Sequence, residues 1–179
     1  MLVAVRSIGP EHAMDVGIRR YREPDAIDVG RLIADVFRRF NLSYASPAQQ
    51  GKLLGPFRHA HSDDLEHQRA IAQVIRAPLV LIAEDEENGR IVGVLRGSPG
   101  RLHSLFVHDA YHRHGIGRQL VGAFETELRA AGCDAITLQS TLYAVPFYQC
   151  LGYTRSTGVR SGSCFDGAGF KYQPMKKLL

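Results

Sequence analysis

The sequence predicts a single α/β domain in which a mixed, largely antiparallel sheet is flanked by helices. Three observations support this fold class. The chain has 179 residues, the usual size of one domain with a buried core. Segments with helical periodicity and segments of strand-like apolar residues follow one another in the order βααβββαβαββ. Turn signals separate three of the strands closely enough for an antiparallel meander.

Composition excludes several classes of protein. The chain is 45% apolar and 22% charged, and its net charge of +4 is spread along the sequence. No run of like charges indicates a nucleic-acid-binding arm, and no apolar run reaches membrane-spanning length. The three cysteines have irregular spacing that fits neither a disulfide framework nor a zinc site. We therefore expect a cytoplasmic protein with no nucleic-acid, membrane or metal partner.

The first element of the fold follows a segment with little pattern. Residues 1–13 are interpreted as a loose tail or the product of an early start codon, and residues 14–179 as one domain. Met14 opens the first strand, and weak alternation over residues 16–21 continues it.

Two helices are predicted next. Asp25 is expected to cap a helix whose apolar positions between residues 29 and 40 share one face. Residues 41–61 contain two prolines and two glycines, and they predict a long loop or a broken helix. Ser62 and Asp63 are expected to cap a second helix that ends near Ile75.

The rest of the chain alternates strands and helices. Asn88-Gly89 and Pro99-Gly100 are turn signals between the meander strands, which are predicted over residues 79–83, 90–97 and 102–107. A helix over residues 116–128, stopped by Gly132, comes next. The remaining elements are a strand at 135–138, a short helix at 144–151, and strands at 153–159 and 170–175.

The turn between the third meander strand and the long helix carries a phosphate-binding pattern. Residues 108–118 read H-D-A-Y-H-R-H-G-I-G-R, with Gly115 and Gly117 where the helix begins. Glycines at this place let backbone N–H groups approach an anion, and the helix N-terminus favours negative charge. Arg113 and Arg118 add full positive charges. Structural glycines in a tight turn would explain the same pattern.

Two motifs together resemble the GNAT superfamily, the Gcn5-related N-acetyltransferases. The first is an apolar strand followed by Gln/Arg-x-x-Gly-x-Gly/Ala, in which His112 replaces the usual Gln or Arg. The second is A-V-P-F-Y-Q-C-L-G-Y at residues 144–153, where Tyr148 matches a family tyrosine. The resemblance covers residues 14–177. It implies the GNAT fold and an acyltransferase that moves the acetyl group of acetyl-CoA, its co-substrate, directly to an amine.

The resemblance also implies which residues bind acetyl-CoA. Strand residues Leu105, Phe106 and Val107 would pair with the pantetheine arm and supply N–H donors to the thioester carbonyl. The pyrophosphate would bind the turn formed by Arg113, His114, Gly115, Ile116, Gly117 and Arg118. No metal is implied.

Two side chains are candidates for proton transfer. Tyr148 is the candidate general acid, since a phenol is protonated at pH 7; the alternative is a buried tyrosine bonded to backbone. His103 is the candidate base, because strand histidines in one branch of the family relay the amine proton through water. Arg101 stands where many relatives carry glutamate. Positions 101, 103, 105 and 107 are expected on one face, and Glu84 or water alone are alternative bases.

The acceptor amine is less specified by the sequence. Residues 41–61 and 158–169 are expected to line its site, with Tyr44, Phe57, His59, His61, Phe165 and Asp166 as candidates. A small-molecule amine is the preferred acceptor; the alternatives are a protein or peptide amine, or a non-catalytic acyl-CoA sensor. Cys150 is expected in the core, and a homodimer through edge strands is possible.

Overall fold

The computed structural model describes residues 15–164 and 167–179, which form an eight-stranded sheet with helices on both faces. The strands are β1 Val16–Arg20, β2 Leu79–Asp85, β3 Arg90–Ser98, β4 Arg101–Val107, β5 Ala135–Thr141, β6 Thr154–Arg155, β7 Arg160–Cys164 and β8 Gly167–Leu178. The helices are α1 Ala26–Asn41, α2 Pro47–Leu54, α3 Leu65–Ile75, α4 Ile116–Ala130 and α5 Val145–Cys150. The predicted tail and Met14 lie outside the described residues. No described helix is long and apolar enough to cross a membrane.

The sheet is largely antiparallel, as predicted, with strand order β1-β2-β3-β4-β5-β8-β6 and β7 paired to β8 beside this path. The ladder between β4 and β5 is parallel and contains two residue pairs, Arg101 with Thr137 and Leu102 with Leu138. Both strands continue beyond these pairs. They therefore separate and leave a gap toward their carboxyl ends, called here the β4–β5 opening.

Each face of the sheet carries its own core. Helices α1, α2 and α3 cover one face, called the α1 face, through side chains that include Val29, Phe37, Leu54, Phe57 and Ile71. Helices α4 and α5 cover the other, called the α4 face, through Leu120, Phe124, Leu128, Val145 and Tyr148. Gly97 lets α4 approach, since a Cβ there would lie 2.4 Å from the Phe124 ring.

The segment over residues 41–61 is the broken helix that was one of the two predicted alternatives. Helix α2 begins with a capping box in which the Ser46 hydroxyl accepts from the Gln49 N–H and the Gln49 side chain accepts from the Ser46 N–H. Pro47 occupies the first turn, where no N–H is needed. Gly55 ends the helix, and a short 3-10 turn runs to His59. The described residues therefore contain five α-helices, one more than the order βααβββαβαββ predicts.

The predicted caps of α1 and α3 need adjustment. Asp25 precedes α1, but its carboxylate binds the guanidinium of Arg19 and the N–H of Arg22 instead of capping the helix. The cap of α3 is Asp64, one residue after the predicted pair, and it accepts from the Glu66 N–H at 2.8 Å.

The carboxyl-terminal strands also differ from the prediction. The strand expected over residues 153–159 pairs with β8 only at Thr154 and Arg155. An additional strand, β7, pairs with the amino-terminal half of β8. Its sequence, R-S-G-S-C, has no apolar alternation, because it forms by backbone pairing with β8 and most of its side chains stay exposed.

Candidate functional site

The turn after β4 has the geometry of an anion-binding site. Gly115 immediately precedes α4 with a φ of +81°, and a Cβ there would meet no atom within 4 Å. Arg113 also has a positive φ, +71°, which is costly for a residue with a Cβ. The first N–H groups of α4 have no partner within the helix, and the helix dipole makes this end positive. The turn can therefore bind a phosphate group through its backbone.

Side-chain charges around this turn are also positive. Arg113, His114 and Arg118 are exposed, and among the described residues none of them has an acidic partner. The nearby carboxylate of Asp109 is bound by the guanidinium of Arg39. Two unpaired guanidinium groups thus stand beside the backbone site.

His112, which departs from the family motif, anchors the turn to the strand before it. Its Nε2 lies 2.8 Å from the carbonyl oxygen of Val107, so this nitrogen must donate. The imidazole also packs on Phe40 of α1, with ring centroids 4.9 Å apart, and Phe40 stacks on Tyr143 at 5.8 Å. His112 therefore holds the turn against β4 and α1.

Strand β4 presents free backbone groups to the β4–β5 opening. The N–H of His108 donates to Val92 of β3, and hydrogen bonds alternate along an antiparallel strand. Phe106 consequently bonds toward β3, whereas Leu105 and Val107 direct their N–H groups away from it, toward the opening. The Phe106 ring lies on the α1 face against Phe37, with centroids 5.9 Å apart.

An irregularity at His103 changes which residues of β4 share a face. The pairing with β3 moves from Gly97–Leu102 to Arg96–Ser104, so His103 is the extra residue. Leu102 packs on the α4 face together with Leu105. The prediction that positions 101, 103, 105 and 107 share one face is therefore wrong, because the bulge interrupts the two-residue period.

His103 lies at the narrow end of the β4–β5 opening. Its Nε2 is 2.9 Å from the hydroxyl oxygen of Ser98. Burial and the charges of Arg96 and Arg101 lower the pKa of His103, so its neutral form is favoured. The hydroxyl of the next residue, Ser104, is buried and has no hydrogen-bond partner among the described residues.

Tyr148 is buried on the α4 face. Its ring packs edge-on against Phe147 and Tyr153, with centroids 5.1 Å and 5.6 Å away. Burial raises its pKa, so the phenol stays protonated. Its hydroxyl forms no hydrogen bond with any described residue. The alternative of a buried tyrosine bonded to backbone is therefore wrong for the described backbone.

Three separate segments meet at the start of α4. A Cβ on Gly117 would lie 3.1 Å from the Phe147 ring and 3.8 Å from the Val107 side chain. Tyr148 belongs to the same cluster of side chains as Val107 and Leu105. The structure thus joins the phosphate-binding turn, the end of β4 and α5, whereas His103 lies apart, toward Ser98. The packing of Phe147 on Gly117 and the hydrogen bond from His112 to Val107 were not predicted, because neither contact has a local sequence signal.

Several predicted acceptor-side residues are placed differently by the structure. Tyr44 is 72% exposed, but Phe57 is 1% exposed and belongs to the core, because the turn after α2 folds inward. His59 stacks on His67, and His61 binds Asp35. Phe165 and Asp166 lie outside the described residues.

Three further predictions concern Glu84 as a base, a metal site and the position of Cys150. Glu84 lies on β2, two strands from β4, and its carboxylate binds the guanidinium of Arg19. The described residues contain no cluster of side chains that could hold a metal ion. Cys150 is exposed, so its predicted place in the core is wrong. The six-residue helix α5 ends at Cys150, and only its other side packs on the sheet.

Comparison with solved structures confirms the fold. A Gcn5-related N-acetyltransferase from Rhodopseudomonas palustris is 22% identical, with a TM-score of 0.72 over 91% of this chain and 95% of that one. An acetyltransferase from Salmonella typhimurium, solved with acetyl-CoA, is 18% identical, with a TM-score of 0.58 over 92% of this chain and 94% of that one. An aminoglycoside 6'-N-acetyltransferase complexed with coenzyme A is 17% identical, with a TM-score of 0.57 over 90% of this chain and 96% of that one.

Comparison of sequences identifies the family. No curated protein matches the chain. The family model described as "Acetyltransferase (GNAT) domain" matches residues 47–179, about three quarters of the sequence. This range contains the phosphate-binding turn, the β4–β5 opening and Tyr148. The chain therefore belongs to the GNAT acetyltransferase family.

Proposed function

We propose that this GNAT acetyltransferase moves the acetyl group of acetyl-CoA to the primary amine of a small molecule, by direct attack within a ternary complex. The observation that carries the proposal is the β4–β5 opening, which begins beside the positive turn and is lined by unpaired strand N–H groups. Both features suit a long ligand with a pyrophosphate at one end and a peptide-like arm.

The residues present fit acetyl-CoA. Backbone N–H groups between Arg113 and Arg118 would bind the pyrophosphate, assisted by the guanidinium groups of both arginines. Leu105 and Val107 would pair with the pantetheine amides as a neighbouring strand does. The orphaned Ser104 hydroxyl at the opening supports a ligand there, since buried polar groups usually have a partner.

The α4 face would supply the acid. Bound acetyl-CoA supplies an acetyl thioester, whose carbon–sulfur bond breaks as the new carbon–nitrogen bond forms. The N–H of Leu105 or Val107 polarises the carbonyl oxygen by donating to it. Tyr148 then donates its hydroxyl proton to the departing thiolate. A buried, protonated phenol with no other partner is suited to this step.

The α1 face would supply the base. His103 accepts a proton from the amine through Nδ1, in the tautomer whose Nε2–H donates to the Ser98 hydroxyl. Its lowered pKa keeps the imidazole neutral at pH 7 and therefore able to accept. Glu84 is a poorer candidate, since Arg19 already binds its carboxylate.

A small acceptor is supported by the size of the recess beside His103. An open depression of about 270 Å³ is lined by Arg101, Leu102, His103 and Gln139. This volume is slightly below the range of about 300–1,000 Å³ that is usual for ligand sites, which favours a small acceptor over a peptide.

The test is acetyl-CoA binding and turnover by the full-length chain. Calorimetry should detect binding, and a thiol reagent should detect coenzyme A release when amines are added. Replacing both Arg113 and Arg118 by Gln should weaken binding at least 30-fold, because each charged contact contributes about 1.5–3 kcal/mol. Gly117 is less suitable for substitution, since a Cβ would press on Phe147.

The matched control is Arg155→Gln, which removes a charge from β6 on the other side of β5 and β8. It should leave acetyl-CoA affinity within about twofold. No binding of acetyl-CoA to the wild type, or equal loss in both variants, would contradict the proposed function.

Location and assembly remain part of this proposal. Cys133, Cys150 and Cys164 are free thiols, which supports a reducing compartment such as the cytoplasm. A homodimer formed through edge strands stays a prediction.

A further inference from the structure

The depression beside His103 has a positive wall. Arg101 is exposed, and among the described residues its guanidinium has no acidic partner. Gln139 of β5 lies opposite, on the face away from Ile136 and Leu138, which are buried against α4. The depression therefore opens on the α1 face, the side from which His103 would receive the amine.

No acidic residue lies on β4 and β5, which line the depression, or on the neighbouring strands β3 and β8. Residues 41–62, 88–108 and 135–179 form about half of the chain and include α2, β3, β4, β5 and the β7–β8 hairpin. They hold ten of the 22 Lys and Arg residues but one of the 18 acidic residues, Asp166, which lies outside the described residues. The other 17 acidic residues lie in the remaining segments, which include α1 and α3 on the α1 face.

Local electrostatics at the depression agree with the absence of acidic residues on these strands. The charged groups that act on His103 are Arg96 and Arg101, and no carboxylate offsets them. Arg96 is itself held by backbone, since its guanidinium donates to the carbonyls of Val74 and Ile75 at the end of α3. Of these two described cations, Arg101 is therefore the one that remains available to a ligand.

Arg101 is also far from the phosphate-binding turn. The two sites lie at opposite ends of the seven-residue strand β4, which spans about 20 Å. A pyrophosphate bound at the turn would therefore be too far away to contact the Arg101 guanidinium. A second anion, carried by the other substrate, fits this arrangement.

We propose that the acceptor is a small amine that also carries a carboxylate or phosphate, and that Arg101 binds this anionic group and sets acceptor specificity. The inference rests on the proposed function and narrows its substrate class. Polycationic acceptors such as aminoglycosides and polyamines would be repelled by the positive wall and would find no carboxylate in the depression.

The experiment compares matched acceptors with the wild type and variants of Arg101. Acetyl-CoA turnover is measured with α-amino acids and phosphoethanolamine, with their uncharged counterparts (amino acid amides and ethanolamine), and with spermidine and kanamycin. We expect kcat/KM for at least one anionic amine to exceed that of its uncharged counterpart at least tenfold. Arg101→Gln should remove this preference and leave the acetyl-CoA Kd unchanged, Arg101→Lys should retain most of it, and Arg155→Gln should retain it fully.

Each other outcome overturns the inference. Turnover of uncharged or polycationic amines in preference to anionic ones would refute it and leave the proposed function intact, as would an unchanged preference in Arg101→Gln. Binding of acetyl-CoA without turnover of any anionic amine would also refute the acceptor class. Failure to bind acetyl-CoA would instead remove the proposed function, and the inference with it.

Discussion

Tyr148 is a buried phenol whose hydroxyl forms no hydrogen bond with the described residues. Its hydroxyl oxygen is not among the fully buried atoms of the described residues that lack a partner, whereas that of Tyr153 is, so the Tyr148 hydroxyl is open to solvent or to a ligand. The ring contributes packing against Phe147 and Tyr153, and a phenylalanine would keep those contacts. One substitution, Tyr148→Phe, can therefore test the role of the hydroxyl while it keeps the packing of the ring.

We expect Tyr148→Phe to lower kcat by about 10²-fold or more, the usual contribution of a general acid. The acetyl-CoA Kd should change little and the melting temperature should not fall, since no protein hydrogen bond is lost. Steady-state kinetics, calorimetry and thermal unfolding measure the three quantities. Tyr153→Phe, in the same ring cluster, is the control and should keep kcat. An unchanged kcat in Tyr148→Phe would restrict Tyr148 to packing.

His103 should determine the acid limb of the pH profile. Because burial and two arginines lower its pKa below the ordinary value of 6.5, the imidazole loses its neutral form only at lower pH. The kcat/KM of the wild type should therefore be constant near pH 7 and fall below pH 6.5. His103→Gln should lower kcat/KM and abolish this limb. A limb of the same midpoint in that variant would assign the proton transfer to another group or to water.

At the scale of elements, two helix glycines have opposite surroundings. Gly30 of α1 is buried, and a Cβ there would lie 2.7 Å from the Cγ2 methyl of Ile71 in α3. Gly122 of α4 is exposed, and a Cβ there would meet no atom within 4 Å. The first glycine sets the distance between two helices, whereas the second only lowers helix propensity.

We expect Gly122→Ala to raise the free energy of unfolding by about 0.5–1 kcal/mol, because alanine loses less conformational entropy in a helix. Gly30→Ala should lower it by about 1–3 kcal/mol through overpacking against Ile71. Urea denaturation of both variants with the wild type measures these changes. Stabilisation by Gly30→Ala would mean that α1 and α3 separate more easily than their packing suggests.

At the scale of the whole molecule, the proposed acetyl-CoA site and the proposed acceptor site lie on opposite faces of the sheet. The β4–β5 opening joins the two faces. The α4 face carries the phosphate-binding turn and Tyr148, and the α1 face carries His103 and the positive depression. Glu125 and Lys177 join α4 to β8, with both carboxylate oxygens 2.7 Å from Nζ, which fixes α4 beside the opening. The proposed selection of anionic acceptors by Arg101 belongs to this scale, because the depression is formed by residues of two strands that are distant in sequence, β4 and β5.

Features with a local pattern were predicted well. The meander, α4 and its glycine-containing turn follow from apolar periodicity and turn residues, and the structure confirms them. Helix α2 was left open between a loop and a broken helix, although Ser46, Pro47 and Gln49 form a capping box that is visible in the sequence. Strand β7 was missed, since it is stabilised by a distant strand and carries no apolar alternation.

The fold class, the family and the turn that would bind a phosphate can be read from the sequence, because these depend on residues close together in the chain. The folded structure was needed to show that β4 contains a bulge at His103, that Phe57 is buried, and that the Phe147 ring packs over Gly117. It also placed the Arg101 guanidinium beside His103 and away from the turn. These features depend on contacts between residues far apart in sequence, where strand register and packing, and not local propensity, determine which groups meet.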